Sequence, residues 1–208
     1  MRTRQRLCLT ALTTVAVLAA FTATALGNRI KFTPFPGTFT AIWRPLNFRL
    51  AGSFATVSCN VTLGGSIHIQ TIPKTNGLLL GRDTTATVES CSGGTATILN
   101  EALPIHWRYG GYKGTLPNVN TIWIPAIGMA MSIHPTGFIE CLVTSEASEP
   151  VVLGLELDEE GRVTGIRADE TRPIGPGGFA CSYPGPLTLS GTGTLTTGGG
   201  GTVTERLI

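Results

Sequence analysis

The 208-residue chain reads as an all-β protein: a two-sheet β-sandwich or a barrel-like domain of about 10–12 strands, set behind an N-terminal export segment. Three observations predict this. Apolar residues recur with period two along much of the chain, and nothing beyond residue 25 sustains a 3.6-residue period. Glycine is abundant, at 27 residues, and so is threonine, a composition that suits strands separated by turns. Four cysteines remain once the N-terminal segment is set aside, the number that two disulfides use.

The first element is the export segment. Arg2, Arg4 and Arg6 give a basic start without an acid, and residues 7–21 carry no charge. Thr22, Ala23, Thr24 and Ala25 follow, with Ala23 and Ala25 forming an A-x-A site, so a secretory signal peptide over 1–25 cleaved after Ala25 is predicted. Five threonines between Thr10 and Thr24 dilute the apolar run below what a bilayer span of about 20 apolar residues needs. The alternative is a membrane-anchored protein that keeps this helix uncleaved. Cys8 lies early in the apolar run rather than at its end, which argues against a lipoprotein signal.

The remainder, 26–208, has the length of a single all-β domain. Removing the three leader arginines from the 15 Lys+Arg leaves 12 against 13 Asp+Glu, a net charge of −1. Such a balance offers no electrostatic footing for nucleic acid. The charge is nonetheless uneven: residues 28–139 hold 8 basic and 3 acidic side chains, and residues 140–208 hold 4 and 10.

Strand signals follow in order. Val57, Cys59, Val61, Leu63, Ile67 and Ile69 alternate with polar residues, with a bend expected at Gly64–Gly65. Ile105, Trp107 and Tyr109 alternate with His106 and Arg108. Trp123, Ile127, Met129, Met131 and Ile133 alternate with smaller apolar residues, which predicts one strand packed on both faces. Val151, Leu153, Leu155 and Leu157 lead into Asp158-Glu159-Glu160-Gly161 and a return strand, the clearest hairpin in the chain. Leu187, Leu189, Gly191, Gly193 and Leu195 share a face near the end. An echo between the surroundings of Cys59 and Cys141, and of Cys91 and Cys181, suggests two similar halves, about 47–100 and 138–208.

The cysteine spacing suits disulfides Cys59–Cys91 and Cys141–Cys181 among three possible connectivities. Each would close a loop of roughly 30–40 residues and contribute ~3.5–4 kcal/mol by constraining the unfolded chain. No C-x-x-C occurs and no histidine lies two to five residues from a cysteine, so no metal site is predicted. No catalytic residue and no cofactor site is predicted either. There is no G-x-S-x-G elbow, and the glycine runs lack phosphate-binding spacing. His68, His106 and His134 read as outward strand residues. The Asp158–Gly161 segment lacks the alternating acids of a calcium loop and reads as a solvated hairpin tip. Asn60-Val61-Thr62 matches an N-glycosylation acceptor.

The feature with most functional colour is aromatic: Trp107, Tyr109, Tyr112 and Trp123 cluster in sequence. They could stack on a ligand such as a sugar, although their strand positions also suit a core.

The runs Val57-Ser58-Cys59-Asn60-Val61-Thr62-Leu63-Gly64-Gly65-Ser66-Ile67-His68, Glu89-Ser90-Cys91-Ser92-Gly93-Gly94-Thr95-Ala96-Thr97, Gly114-Thr115-Leu116-Pro117-Asn118 and Leu189-Ser190-Gly191-Thr192-Gly193-Thr194 resemble segments of secreted all-β proteins of high-GC Gram-positive bacteria that have no known activity. The resemblance implies export and a bacterial source and transfers no functional residue. The expectation is therefore a secreted or cell-envelope β-domain, a non-catalytic structural or binding module. Its partners would be cell-surface or extracellular glycans or proteins. The alternative is a carbohydrate-binding module or weak glycan-active enzyme built on the four aromatics and nearby acids.

Overall fold

The computed structural model describes residues 29–33, 37–50, 55–69, 71–99, 103–115, 118–137, 140–172, 179–181, 187–198, 201 and 203–207. The predicted signal peptide 1–25 and its cleavage point Ala25 lie outside them. Sixteen strands occur among the described residues. In chain order they are β1 (Arg29–Thr33), β2 (Gly37–Leu50), β3 (Thr56–Ile67), β4 (Thr71–Pro73), β5 (Leu79–Ser92), β6 (Gly94–Ile98), β7 (Ile105–Arg108) and β8 (Gly111–Thr115). They continue with β9 (Asn118–Ile127), β10 (Ala130–Pro135), β11 (Cys141–Thr144), β12 (Val151–Leu157), β13 (Val163–Arg172), β14 (Phe179–Cys181), β15 (Leu187–Thr197) and β16 (Thr204–Leu207). The count exceeds the expected 10–12 because short strands of three to six residues build two accessory sheets.

Antiparallel pairing runs β12-β13-β15-β2-β3-β5-β7-β9, and β9 pairs back onto β12, with Leu153 opposite Ile124. The result is a closed eight-stranded antiparallel barrel, with β8 added along the first half of β9. It is the barrel alternative, not the two-sheet sandwich, that the chain adopts. Strands of the range 138–208 (β12, β13, β15) and those of 47–100 (β3, β5, with the end of β2) form adjacent blocks of this one wall, joined where β15 pairs with β2.

An eight-stranded barrel has an interior just wide enough for side chains to fill it. Here they do: Phe39, Trp43, Phe48, Ile105, Trp107 and Ile124 are all buried. Phe39 and Trp107 meet with ring centroids 4.5 Å apart and planes tilted by 43°, a geometry that favours the edge of one ring against the face of the other. The outer positions of β3 are Thr56, Ser58, Asn60, Thr62 and Ser66, all partly exposed, while Val57, Cys59, Val61 and Leu63 are buried. Alternation thus sends apolar residues inward and polar ones out.

Strands this long keep one face inward around a tight curve only by inserting extra residues. Two residues, Ser90 and Cys91, stand opposite Cys59, with Ser90 at φ +50°. Thr84 is the extra residue opposite the Gly64–Gly65 step, where the sequence predicted a bend. Arg44 and Pro45 interrupt β2, shifting its inward set from Phe39, Ala41 and Trp43 to Leu46 and Phe48. The Cys59–Cys91 disulfide spans 32 residues and ties β3 to β5 across the Ser90 bulge.

At the end of β5, Gly93 (φ +74°) and Gly94 (φ +153°) turn the chain out of the barrel into a four-stranded sheet ordered β14-β11-β10-β6. Its residues Ile98 and Met131 line the same interior cavity as Trp43 and Leu153, so this sheet covers one end of the barrel. In this sheet Cys141 is buried and disulfide-bonded, and the residue facing it across the β11–β14 ladder is Cys181. A three-stranded sheet, β16-β1-β4, is built from the first and last described strands and β4, and buries Ile72.

Two measurements test this frame. A methyl group on Gly65 would sit 2.2 Å from the Arg82 carbonyl oxygen, whereas one on Gly37 meets nothing within 4 Å. Gly65→Ala is expected to lower unfolding stability in urea by roughly 2–3 kcal/mol, and Gly37→Ala to change it by less than about 0.5 kcal/mol. Non-reducing peptide mapping is expected to recover Cys59 with Cys91 and Cys141 with Cys181; a free thiol at any of the four would overturn the pairing.

Candidate functional site

The most unusual side chain inside the barrel is Asp83. The Thr84 bulge shifts the phase of β5, so that Asp83 points inward and is fully buried, with Arg82 and Thr85 left outside. The Trp107 indole N–H donates a hydrogen bond to Asp83 Oδ2 at 2.6 Å. Asp83 Oδ1 and Trp43 Nε1 have no hydrogen-bond partner among the described residues. Both residues line a cavity of about 30 Å³, together with Val61, Ile105, Met131 and Leu153. Among the described residues, Asp83 is the only titratable one on that wall.

A carboxylate in such a setting loses its hydration without gaining a countercharge. Burial therefore pushes the Asp83 carboxyl up from 3.8 to about 7, with the Trp107 hydrogen bond pulling the other way. The unfolded chain releases this proton near the ordinary value and the folded chain only near 7. The contribution of this carboxyl to stability is consequently greatest in acid, falls as pH rises from about 4 to 7, and levels off above. The full difference is on the order of 3–4 kcal/mol. Asp83→Asn keeps an acceptor for Trp107 and removes the proton. Its urea midpoint should vary less than that of the parent protein between pH 4.5 and 8, with the two curves converging or crossing at high pH. Parallel pH profiles would contradict the assignment.

The four aromatics singled out in the sequence do not form one surface. Trp107 and Tyr109 are each only 2% exposed and belong to the core, the second of the two readings that their strand positions allow, because the chain here turns its larger residues inward. Tyr112 is half-buried, with Lys74 Nζ 5.3 Å from its ring centroid, a cation–π contact. Trp123 was placed on the larger-residue side of its strand. It instead lies on the outer face, because β9 turns Ile122, Ile124 and Ala126 inward and ends at Ile127, before Met131 and Ile133 begin a separate strand. Tyr112 stands opposite inward Ile122, and Trp123 opposite Gly111, so these two aromatics occupy opposite faces.

The charged candidates are committed to local structure. Asp158 Oδ1 accepts from the backbone N–H groups of Glu160 and Arg162, at 3.1 and 2.8 Å, and Oδ2 accepts from Arg162 Nε at 2.7 Å. Arg162 also reaches Glu160. These bonds, the Arg162 side chain foremost, hold the Asp158 carboxyl below its ordinary range. They close the hairpin tip with Gly161 at φ +76°. No group of three potential metal ligands occurs among the described residues. His68 and His134 are exposed and His106 is partly so. Asn60 of the glycosylation acceptor is partly exposed on the outer face of β3.

Fold and interior together define a disulfide-clasped, closed antiparallel β-barrel whose centre is filled with side chains. Among known proteins, no family model, no curated protein and no solved structure matches the chain.

Proposed function

We propose that the chain is an exported β-barrel acting as a non-catalytic structural or binding module outside the cell or in its envelope. The observation that carries this reading is the Cys59–Cys91 disulfide set into the barrel wall, a bond that persists in oxidising compartments. The leader-like residues 1–25 agree with it. The filled interior supports contact through the outer surface and not through the lumen. The direction of the alternation supports a water-facing wall as well. A membrane-spanning barrel turns apolar residues to the lipid, whereas the outer row of β3 carries Thr56, Ser58, Asn60, Thr62 and Ser66.

Expression of the full chain in a secreting bacterial host tests the proposal. The protein is expected in the culture supernatant or the wall fraction with Leu26 at its N-terminus. Recovery in the membrane pellet with residues 1–25 retained would favour the membrane-anchored alternative. Recovery in the cytoplasm with reduced cysteines would overturn export altogether.

A further inference from the structure

Across the outer face of the barrel, one cross-strand row reads Gly111 on β8, Trp123 on β9, Gly154 on β12 and Arg167 on β13. The six-membered ring of Trp123 leans over Gly154: a methyl group there would lie 3.1 Å from Trp123 Cζ3 and 3.5 Å from Cε3. The space beside Gly111 is open, with nothing within 4 Å of an added methyl. No side chain therefore rises from the directly opposed positions on either neighbouring strand, and the half-buried indole keeps part of its surface in water. Glycine beside an aromatic ring is also a way to shield a bare backbone, and Gly111 sits at φ +133°, a conformation that favours glycine; both flanks of the indole are clear as a result.

The neighbouring row supplies polar groups. Thr121 stands opposite Glu156, and Glu156 opposite Gly165, with the Glu156 carboxylate reaching over that glycine to 3.5 Å from where its methyl would be. Arg167 is ion-paired with Asp169 at 3.2 Å. Lys113 stands opposite Thr121 in the same row, so the local formal charge of Lys113, Glu156, Arg167 and Asp169 is zero, and the patch has no net charge to draw an ionic ligand. An aromatic surface ringed by a hydroxyl, a carboxylate and a guanidinium suits a ligand that has a flat C–H face and hydroxyl groups at its rim.

The geometry points to this patch as a site for a neutral glycan: a pyranose ring stacks on Trp123, and Thr121, Glu156 and Arg167 bond its hydroxyls. The site rests on the reading of the chain as a binding module, and gives it a ligand class.

The chain contains three tryptophans, and Trp43 and Trp107 are each only 2% exposed, so Trp123 is the indole a ligand can reach. The mature protein is titrated with cellohexaose and with chitohexaose, following tryptophan emission and protection from acrylamide quenching. A saturable change with at least one of them is expected. Trp123→Ala should weaken binding about tenfold or more, and Trp123→Tyr by no more than about threefold. Arg167→Ala should weaken it without altering the emission of the free protein. Absence of any saturable change up to about 10 mM of either sugar, or binding that survives intact in a folded Trp123→Ala protein, overturns the site. Should Trp123→Ala fail to fold, the quenching protection of the unaltered protein decides. A blank titration leaves export standing, since that is read from the mature N-terminus.

Discussion

Everything in this structure depends on closing eight strands around an interior that only side chains can fill. Each strand must deliver an unbroken inward row of apolar groups while it bends and twists. A regular two-residue period cannot follow that curve over 12 or 14 residues without a correction. The bulges at Arg44–Pro45, Thr84 and Ser90 are the corrections, and each resets which residues face in. Ser90 carries the only positive φ of a non-glycine residue among those described, and it lies beside the disulfide cysteine Cys91. The clasp secures the wall where the ladder is irregular.

The same corrections govern what was legible beforehand. β3 has one bend, and its inward set Val57, Cys59, Val61 and Leu63 could be read directly. The β12–β13 hairpin was equally plain, because its turn is short and polar. β2 carries no comparable signal: its inward set changes from odd to even positions at Arg44–Pro45, so neither phase runs long enough to stand out. β5 changes phase at Thr84 and again at Ser90, and its threonines look like an exposed strand throughout. Trp123 was misplaced for a related reason. Size suggested that the tryptophan faced inward, but closure needs the Ile122, Ile124 and Ala126 row against β12 and β7. The two small sheets were invisible as separate units, since strands of three to six residues carry too little alternation to announce a partner.

Asp83 shows what such a phase change does to chemistry. In sequence it follows Arg82 and precedes two threonines, an ordinary solvent-facing context. The bulge beside it places a carboxyl against Trp107 and an apolar wall, where its charge has no counterpart. The energetic consequence comes from topology, and no local motif encodes it. Outside the barrel the contrast is complete: at the β12–β13 tip Arg162 supplies a countercharge, and the Asp158 carboxyl is held below its ordinary range.

The pairing of β2 with β15 carries a consequence for how the chain comes together. Phe39 lies beside Thr197, and Leu50 beside Leu187, so the wall stays open until residues 187–197 are available to pair with β2. A chain threaded through a translocase from its N-terminus would first present β2, β3 and β5, neighbours in sequence and in space. The Cys59–Cys91 link lies wholly within that early segment. Oxidation there shortens the search left to the long-range partners, which are the slow contacts of any β-topology. On the proposed export reading, the clasp would act during delivery, holding a curved, unfinished sheet in shape while the strands that complete it are still in transit.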